Sequence, residues 1–258
     1  MTGRGRLAIL LGRLALGGAL IAAWQAAADA LGPFFFAAPG DVALRLVEIA
    51  GDGTLLRHTL ATLRLSLTGF VPAALLGVLI PIGLAFTPRA RAALDPYVRA
   101  AMGVPPFALA PLLVLWLGIG QAPKVAIVFT VVFFLMFVAT DAGVRSIDRR
   151  LVAMARVLGA APVQLAREVL FRSTLPFVLT GMKVAVPRAV GAAIVGEILV
   201  SERGLGHYIE HSREMTDQPG MFAGVVAVTV LILLISDGLR RVEGAAMAWR
   251  PTGGERGV

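Results

Sequence analysis

His207 and His211 stand four residues apart, with Glu210 and Glu214 beside them, a spacing that can place metal ligands on one helix face. The order is not H-E-x-x-H, and the chain offers no obvious third ligand. The expectation is therefore a solvated surface helix, with no metal site. Ser201 and Ser212 lack the histidine–carboxylate partners that would activate a hydroxyl. Cysteine is absent, which removes thiolate nucleophiles, thiolate metal sites and disulfides. A phosphate-binding loop of the form GxxxxGK followed by Ser or Thr is also absent. These absences leave no catalytic residues to name. What remains are charges set in apolar sequence: Lys183, Arg188 and Glu197. Such charges are expensive at membrane depth and usually face a partner or a wet path. Lys183 is expected to snorkel to the near surface. Arg188 either pairs with a carboxylate or carbonyls, or faces a path and favours an anion there. Glu197 is expected near the outer end, stabilising a gate region or a neighbouring loop. Pro105, Pro106, Pro111 and Pro187 free backbone carbonyls inside apolar helices, which either bends a helix or turns a carbonyl toward a cavity. Trp116 follows in the same apolar stretch.

The elements that must carry these residues are membrane helices. The chain of 258 residues is 57% hydrophobic, with mean hydropathy +0.82, against roughly 45–50% apolar residues in soluble domains. Six apolar runs have the length to cross a bilayer: about 7–28, 63–86, 100–117, 123–140, 176–200 and 221–239. The first follows Arg4 and Arg6 as a secretory signal would, but it is long for one and its cleavage context is weak, so it is expected to be retained. The net charge of +8 is spread through short loops with few aromatics. It reads as orientation and not as nucleic-acid binding. With the N-terminus inside, the cytoplasmic side receives Arg4, Arg6, Arg89, Arg91, Arg99, Arg145, Arg149, Arg150, Arg156, Arg167, Arg172, Arg240, Arg241, Arg250 and Arg256. The other side keeps Arg45, Arg57, Arg64, Lys124, Arg203 and Arg213. That asymmetry predicts both termini in the cytoplasm. On the outer side, 29–60 predicts a proline–glycine turn and a short amphipathic helix from Asp41 to Ala50, with Leu44, Leu46 and Val47 as its apolar members.

The stretch ARVLGAAPVQLAREVLFRSTLP, residues 155–176, is longer and more basic than a connector needs to be. Leu151, Met154, Ala155 and Leu158 make an apolar stripe at i, i+3, i+4 and i+7. Gly159 permits a break, and Pro162 suits the first turn of a second helix, about 162–173. In that helix Leu165, Val169 and Phe171 are expected to face the membrane, and Arg167, Glu168 and Arg172 water or headgroups. A helix–glycine–helix projection of this kind can seat in a groove of another protein or rest on anionic lipid. Spacing alone does not choose between them.

Several segments together resemble binding-protein-dependent ABC importer permeases of the nitrate/sulfonate/taurine branch. The cytoplasmic "EAA" loop of that family is similar to Ala153-Met154-Ala155, Arg156-Val157-Leu158-Gly159 and the closing Leu175-Pro176. VPPFALAPLLVLWLGIG (104–120), AGVRSID (142–148), LPFVLTGMKVAVPRA (175–189), GEILVSERGLGHYI (196–209) and RRVEGAAMAWR (240–250) follow in the family's order. The chain departs from it where Ala153 replaces the family glutamate and Met154 the first alanine. Phe171-Arg172 stands where an aliphatic–proline pair is common.

The resemblance implies an all-α integral membrane fold of about six spans. Residues 1–54 would form an N-terminal helix and outer loop, 55–242 the permease core and 243–258 a cytoplasmic tail. It implies a non-catalytic subunit of an ATP-driven importer in the bacterial inner membrane. The path would pass a small solute, such as a sulfonate, nitrate, bicarbonate, carboxylate or vitamin precursor. The implied partners are a second permease copy, two ABC ATPase subunits that hold the ATP and magnesium, and a periplasmic or lipid-anchored binding protein. This chain would bind no cofactor itself. The implied ATPase-coupling residues are Ala153, Met154, Ala155, Arg156, Gly159, Ala160, Pro162 and Gln164. The candidate path or gate residues are Pro105, Pro106, Trp116, Arg188 and Glu197. The competing readings are a self-contained secondary transporter or channel, which would need more intramembrane carboxylates than Glu197, and a membrane enzyme, which lacks a catalytic set.

Overall fold

The computed structural model describes residues 3–246, and every regular element among them is helical. In chain order these are α1 (Gly3–Leu31), α2 (Pro39–Gly51), α3 (Thr54–Leu84), α4 (Pro88–Met102), a 3-10 turn (Pro106–Leu109), α5 (Ala110–Leu117) and α6 (Gln121–Arg145). There follow α7 (Arg149–Val157), α8 (Pro162–Gln164), a π-helical stretch (Leu165–Phe171), α9 (Arg172–Val200), α10 (Leu205–Glu214) and α11 (Gln218–Ala246). The predicted tail beyond Ala246, with Arg250 and Arg256, lies outside the described residues, as do the side chains of Arg4 and Arg6.

Five helical stretches have the length and apolarity to span a membrane: Ile9–Leu31, Thr54–Leu84, Gln121–Arg145, Pro162–Val200 and Gln218–Gly244. The third expected span, 100–117, is not one helix. Pro88–Met102 and Pro106–Leu117 meet at an 81° bend. Pro105 and Pro106 cannot donate to the preceding turn, so the break falls there. The second span starts at Thr54 and not near 63. It therefore carries Arg57, His58 and Arg64 on its opening turns.

The core is the triad α3, α6 and α9. Ala73, Ile127, Val132, Met136, Ala185 and Ala189 are buried in its centre. Lipid offers little hydrophobic drive between helices, so close packing through small residues decides which faces meet. A Cβ on Gly69 would lie 2.6 Å from Val128 Cβ, and one on Gly77 2.7 Å from Met136 Cβ. These glycines bring α3 against α6, while Leu67, Val71 and Leu75 on the opposite face stay exposed for lipid.

α2 likewise exposes large apolar side chains and packs through others. Leu44 and Val47 are exposed, and Val42 and Ile49 are the buried residues, packed near Ala223 of α11. Leu46 alone of the predicted stripe joins the packing. α1 is attached through Trp24, whose indole N–H donates to Ala37 O at 2.9 Å while its ring meets Phe222.

α3, α6 and α9 run the full height of the bundle and give it two ends. Thr62 and Lys124 mark one end with the α9–α10 turn, and Ile82, Val144 and Leu170 cluster at the other.

Candidate functional site

At the first end, Glu197 is 2% exposed in the last turns of α9. A buried carboxylate needs donors, and it has two: Thr62 Oγ1 at 2.9 Å and the Gly206 N–H at 2.9 Å. Thr62 Oγ1 in turn accepts the Leu205 N–H at 2.8 Å. His58 Nδ1 lies 2.8 Å from Gly204 O. Residues 201–206 thus fold around the carboxylate, and two glycines make that possible. Gly204 has φ +117°, and a Cβ on it would run into the Glu197 carboxylate. A Cβ on Gly206 would come within 2.8 Å of Glu197 Cβ. Beside this clasp, Lys124 of α6 is 5% exposed and donates from Nζ to Ser201 Oγ at 3.1 Å.

At mid-height, Arg188 stands about 24 Å along α9 from Arg172, at about 1.5 Å per residue. It is exposed, and among the described residues no carboxylate lies within ion-pair distance. Its side chain borders a 510 Å³ cavity that Met102, Pro106, Phe107, Phe134 and Thr180 also line. Thr180 Oγ1 is occupied by Pro176 O at 2.9 Å, and Thr130 Oγ1 by Ala126 O at 2.8 Å. The guanidinium is the charged group of an otherwise mostly apolar hollow beside the 81° bend.

At the far end α7 and α8 form a knuckle. Leu158 N–H donates to Met154 O and Ala160 N–H to Ala155 O, each at 3.0 Å, closing α7 around Gly159. Gly159 has φ +80°, a conformation that costs a side-chain-bearing residue about 1–2 kcal/mol. Pro162 opens the next helix, and Gln164 Oε1 accepts the Ala161 N–H at 2.9 Å. The expected second helix, 162–173, does not end before the span. It continues through the π-helical stretch into α9 without a break. Of the residues assigned to its membrane side, Leu165 is buried and Phe171 exposed, and Leu170 supplies a buried position the sequence reading missed.

Val152 fixes the knuckle against Ile82, Val144 and Leu170. Its outer surface is apolar and bare: Leu151, Met154, Val157, Leu158 and Val163 are exposed, Val157 at 87% and Leu158 at 80%. Ala155 and Ala160 are half-buried, and Ala153 lines a 740 Å³ hollow with Arg91, Arg145 and Leu165. The side chain of Arg156 lies outside the described residues. Next to the knuckle, Asp141 holds both Arg91 and Arg145, the latter at 2.7 Å, and Asp95 holds Arg145 at 3.0 Å. This network ties α4 to the end of α6.

Residues 54–244 match the family model described as binding-protein-dependent transport system inner membrane component. The chain belongs to that permease family. It is 28% identical over 251 residues to the taurine transport system permease protein TauC of Escherichia coli (strain K12), covering 95% of this chain and 90% of TauC. It is 31% identical over 232 residues to the formylaminopyrimidine transport permease protein ThiX of Halalkalibacterium halodurans, covering 90% and 92%. The fold is shared with an inward-facing structure of the MetNI methionine ABC transporter, at TM-score 0.61 and 19% identity over 74% of this chain and 94% of that one. The protein is thus a multi-pass inner-membrane permease subunit for small-solute uptake and a non-catalytic membrane component.

The permease distributes the sequence-predicted residues unevenly. Pro106 and Arg188 share one hollow, and Pro105 sits at the bend above it. Glu197 belongs to the clasp, well away from them along α9. Trp116 is 68% exposed on α5 and lines neither the Arg188 hollow nor the space beside Lys124. Lys183 does not simply snorkel: Nζ lies 2.6 Å from Glu243 Oε2 of α11.

Sequence reasoning missed Thr62, Lys124 and His58. The nearest signal was the GEILVSERGLG run, whose paired glycines follow a carboxylate. His58 also completes a stack, with ring centroids 6.1 Å from His207 and His207 5.8 Å from His211. The ring planes are nearly parallel, at 19° and 17°. Among the described residues no group of three or more His, Cys, Asp or Glu is placed to hold a metal.

Proposed function

We propose that the permease works as one of two copies in an ATP-driven importer, with its knuckle seated in an ATPase subunit on the cytoplasmic face. A binding protein delivers solute at the clasp end. The observation that carries this is the bare apolar knuckle: Val157 and Leu158 are exposed beside the charged Arg91–Asp141–Arg145–Asp95 network. Apolar side chains on a basic, headgroup-level projection gain most from a protein groove. The knuckle is continuous with α9, so a push on it moves the helix that carries Arg188 and Glu197 as a unit. Both termini lie in the cytoplasm, following the basic-residue asymmetry.

The path carries a small anion past Arg188, since an unpaired guanidinium at that depth is stable only against water or a negative partner. Sulfonates and carboxylates fit. ATP and magnesium reside on the ATPase, and this chain holds neither.

The test is reconstitution with an ABC ATPase and a substrate-binding protein from the same cell. The ATPase should co-purify, and uptake into liposomes should require ATP. Uptake by the permease alone would make it a secondary transporter.

A further inference from the structure

The clasp end holds a second chamber that the coupling account does not use. Between α3, α6 and the α9–α10 turn lies a cavity of about 820 Å³, in the size range of small-molecule sites at roughly 300–1,000 Å³. Arg57, Arg64, Lys124 and Arg203 line it against Glu197 and Glu202. Four cationic side chains face two carboxylates, so the lining carries an excess of positive charge. Glu197 already accepts from Thr62 and Gly206. Glu202 is exposed in the turn and makes no ion pair within 4.0 Å among the described residues.

The cations have few partners of their own. Lys124 is 5% exposed, yet its ammonium, which has three donors, meets one acceptor, Ser201 Oγ. Arg57 donates to a hydroxyl, Thr54 Oγ1 at 3.0 Å, and not to a carboxylate. Arg64 and Arg203 make no ion pair among the described residues. Arg64 stands about 15 Å along α3 from Thr54, on the same face as Arg57, Ala61 and Thr68. A guanidinium at that depth facing lipid would be costly. In this chamber it shares the lining with Arg57, Lys124 and Arg203.

We propose that this outer chamber is a receiving site for a small oxyanion, a sulfonate or carboxylate group held by Lys124 and Arg64 before it reaches Arg188. The proposal deepens the importer reading and rests on it for the direction of travel. Lys124 supplies a buried point charge with unfilled donors, and Arg64 supplies a planar fork suited to two oxygens. The Arg57 and Arg203 charges at the rim raise the local anion concentration.

The test titrates methanesulfonate, and separately acetate, into the purified permease in nanodiscs of zwitterionic lipid, with choline as the cation control. Binding is read by calorimetry. Both anions should bind saturably and choline should not. Arg64→Gln, which removes no contact within the chain, should weaken methanesulfonate binding about tenfold or more, the usual cost of losing a charged hydrogen-bond donor. Lys124→Met should do the same, and Arg213→Gln, on the paired surface of α10, should leave affinity unchanged. Absent anion binding, or equal affinity in Arg64→Gln, overturns the proposal. The titration reads the permease alone. A failure of ATPase capture would contradict the importer assembly without altering this result, and a preparation that captures ATPase but binds no anion would sink the chamber alone.

Discussion

Thr62 donates its hydroxyl to the Glu197 carboxylate at 2.9 Å while the same oxygen accepts the Leu205 N–H at 2.8 Å. One threonine on α3 therefore fastens both the end of α9 and the start of α10. The joint is buried, and Glu197 Oε2 accepts from both donors, which makes its members costly to remove. Glu197→Ala strands the Thr62 hydroxyl and the Gly206 N–H, each worth about 1–3 kcal/mol when left unsatisfied. The apparent unfolding temperature in detergent should fall clearly. Glu197→Gln keeps one acceptor and should fall less. Equal temperatures for wild type and Glu197→Ala would show that the clasp contributes nothing to stability.

Gly206→Ala tests the same joint sterically. The new methyl would sit 2.8 Å from Glu197 Cβ and against the Ile194 carbonyl. Backbone must move to relieve it, at a cost of about 1–3 kcal/mol. An expression level and unfolding temperature matching wild type would contradict the close packing.

Asp141 is the shared acceptor of Arg91 and Arg145, with its side chain only 16% exposed. Asp141→Ala leaves two arginines without that partner, and α4 should loosen from α6. Because the chain has no cysteine, a single cysteine at Leu94 reports this cleanly. Its labelling rate with a membrane-impermeant maleimide should rise severalfold in Asp141→Ala. An unchanged rate would mean that α4 is held by other contacts.

Arg188 touches no partner among the described residues, so Arg188→Gln should fold normally. Uptake of an anionic solute by the assembled importer should nonetheless drop tenfold or more, with Arg188→Lys retaining part of it. A drop confined to stability, or equal uptake, would remove Arg188 from the path.

Much of this architecture could be read in the chain before its structure. The spans, Gly159 and the Pro162 start are local signals, set by hydropathy, by a positive φ and by a missing N–H. The failures have a common cause. In a bilayer, apolarity marks lipid contact as well as burial, so the apolar members Leu44 and Val47 of α2 are exposed while Val42 and Ile49 are buried. The core is marked instead by small residues such as Gly69 and Gly77, which carry no hydropathic signal. Pro105 and Pro106 announced a distortion but not the 81° bend, since a missing N–H fixes where a helix breaks and not the angle at which it resumes. The clasp joins Thr62 to Glu197 across 135 residues. No periodicity in either helix points to such a pairing.

The claim that matters most is that the knuckle is driven by an ATPase. Leu158→Asp puts a charge on its bare apolar face without touching the bundle, and Gly159→Pro, whose ring fixes φ at about −65°, cannot keep the φ of +80° and breaks the turn at its hinge. In proteoliposomes holding the full assembly, substrate-stimulated ATP hydrolysis and solute uptake are measured together. Leu158→Asp should lose ATPase capture, and Gly159→Pro should insert normally yet hydrolyse ATP without matching uptake. Wild-type stimulation and wild-type uptake per ATP in both variants would contradict the account.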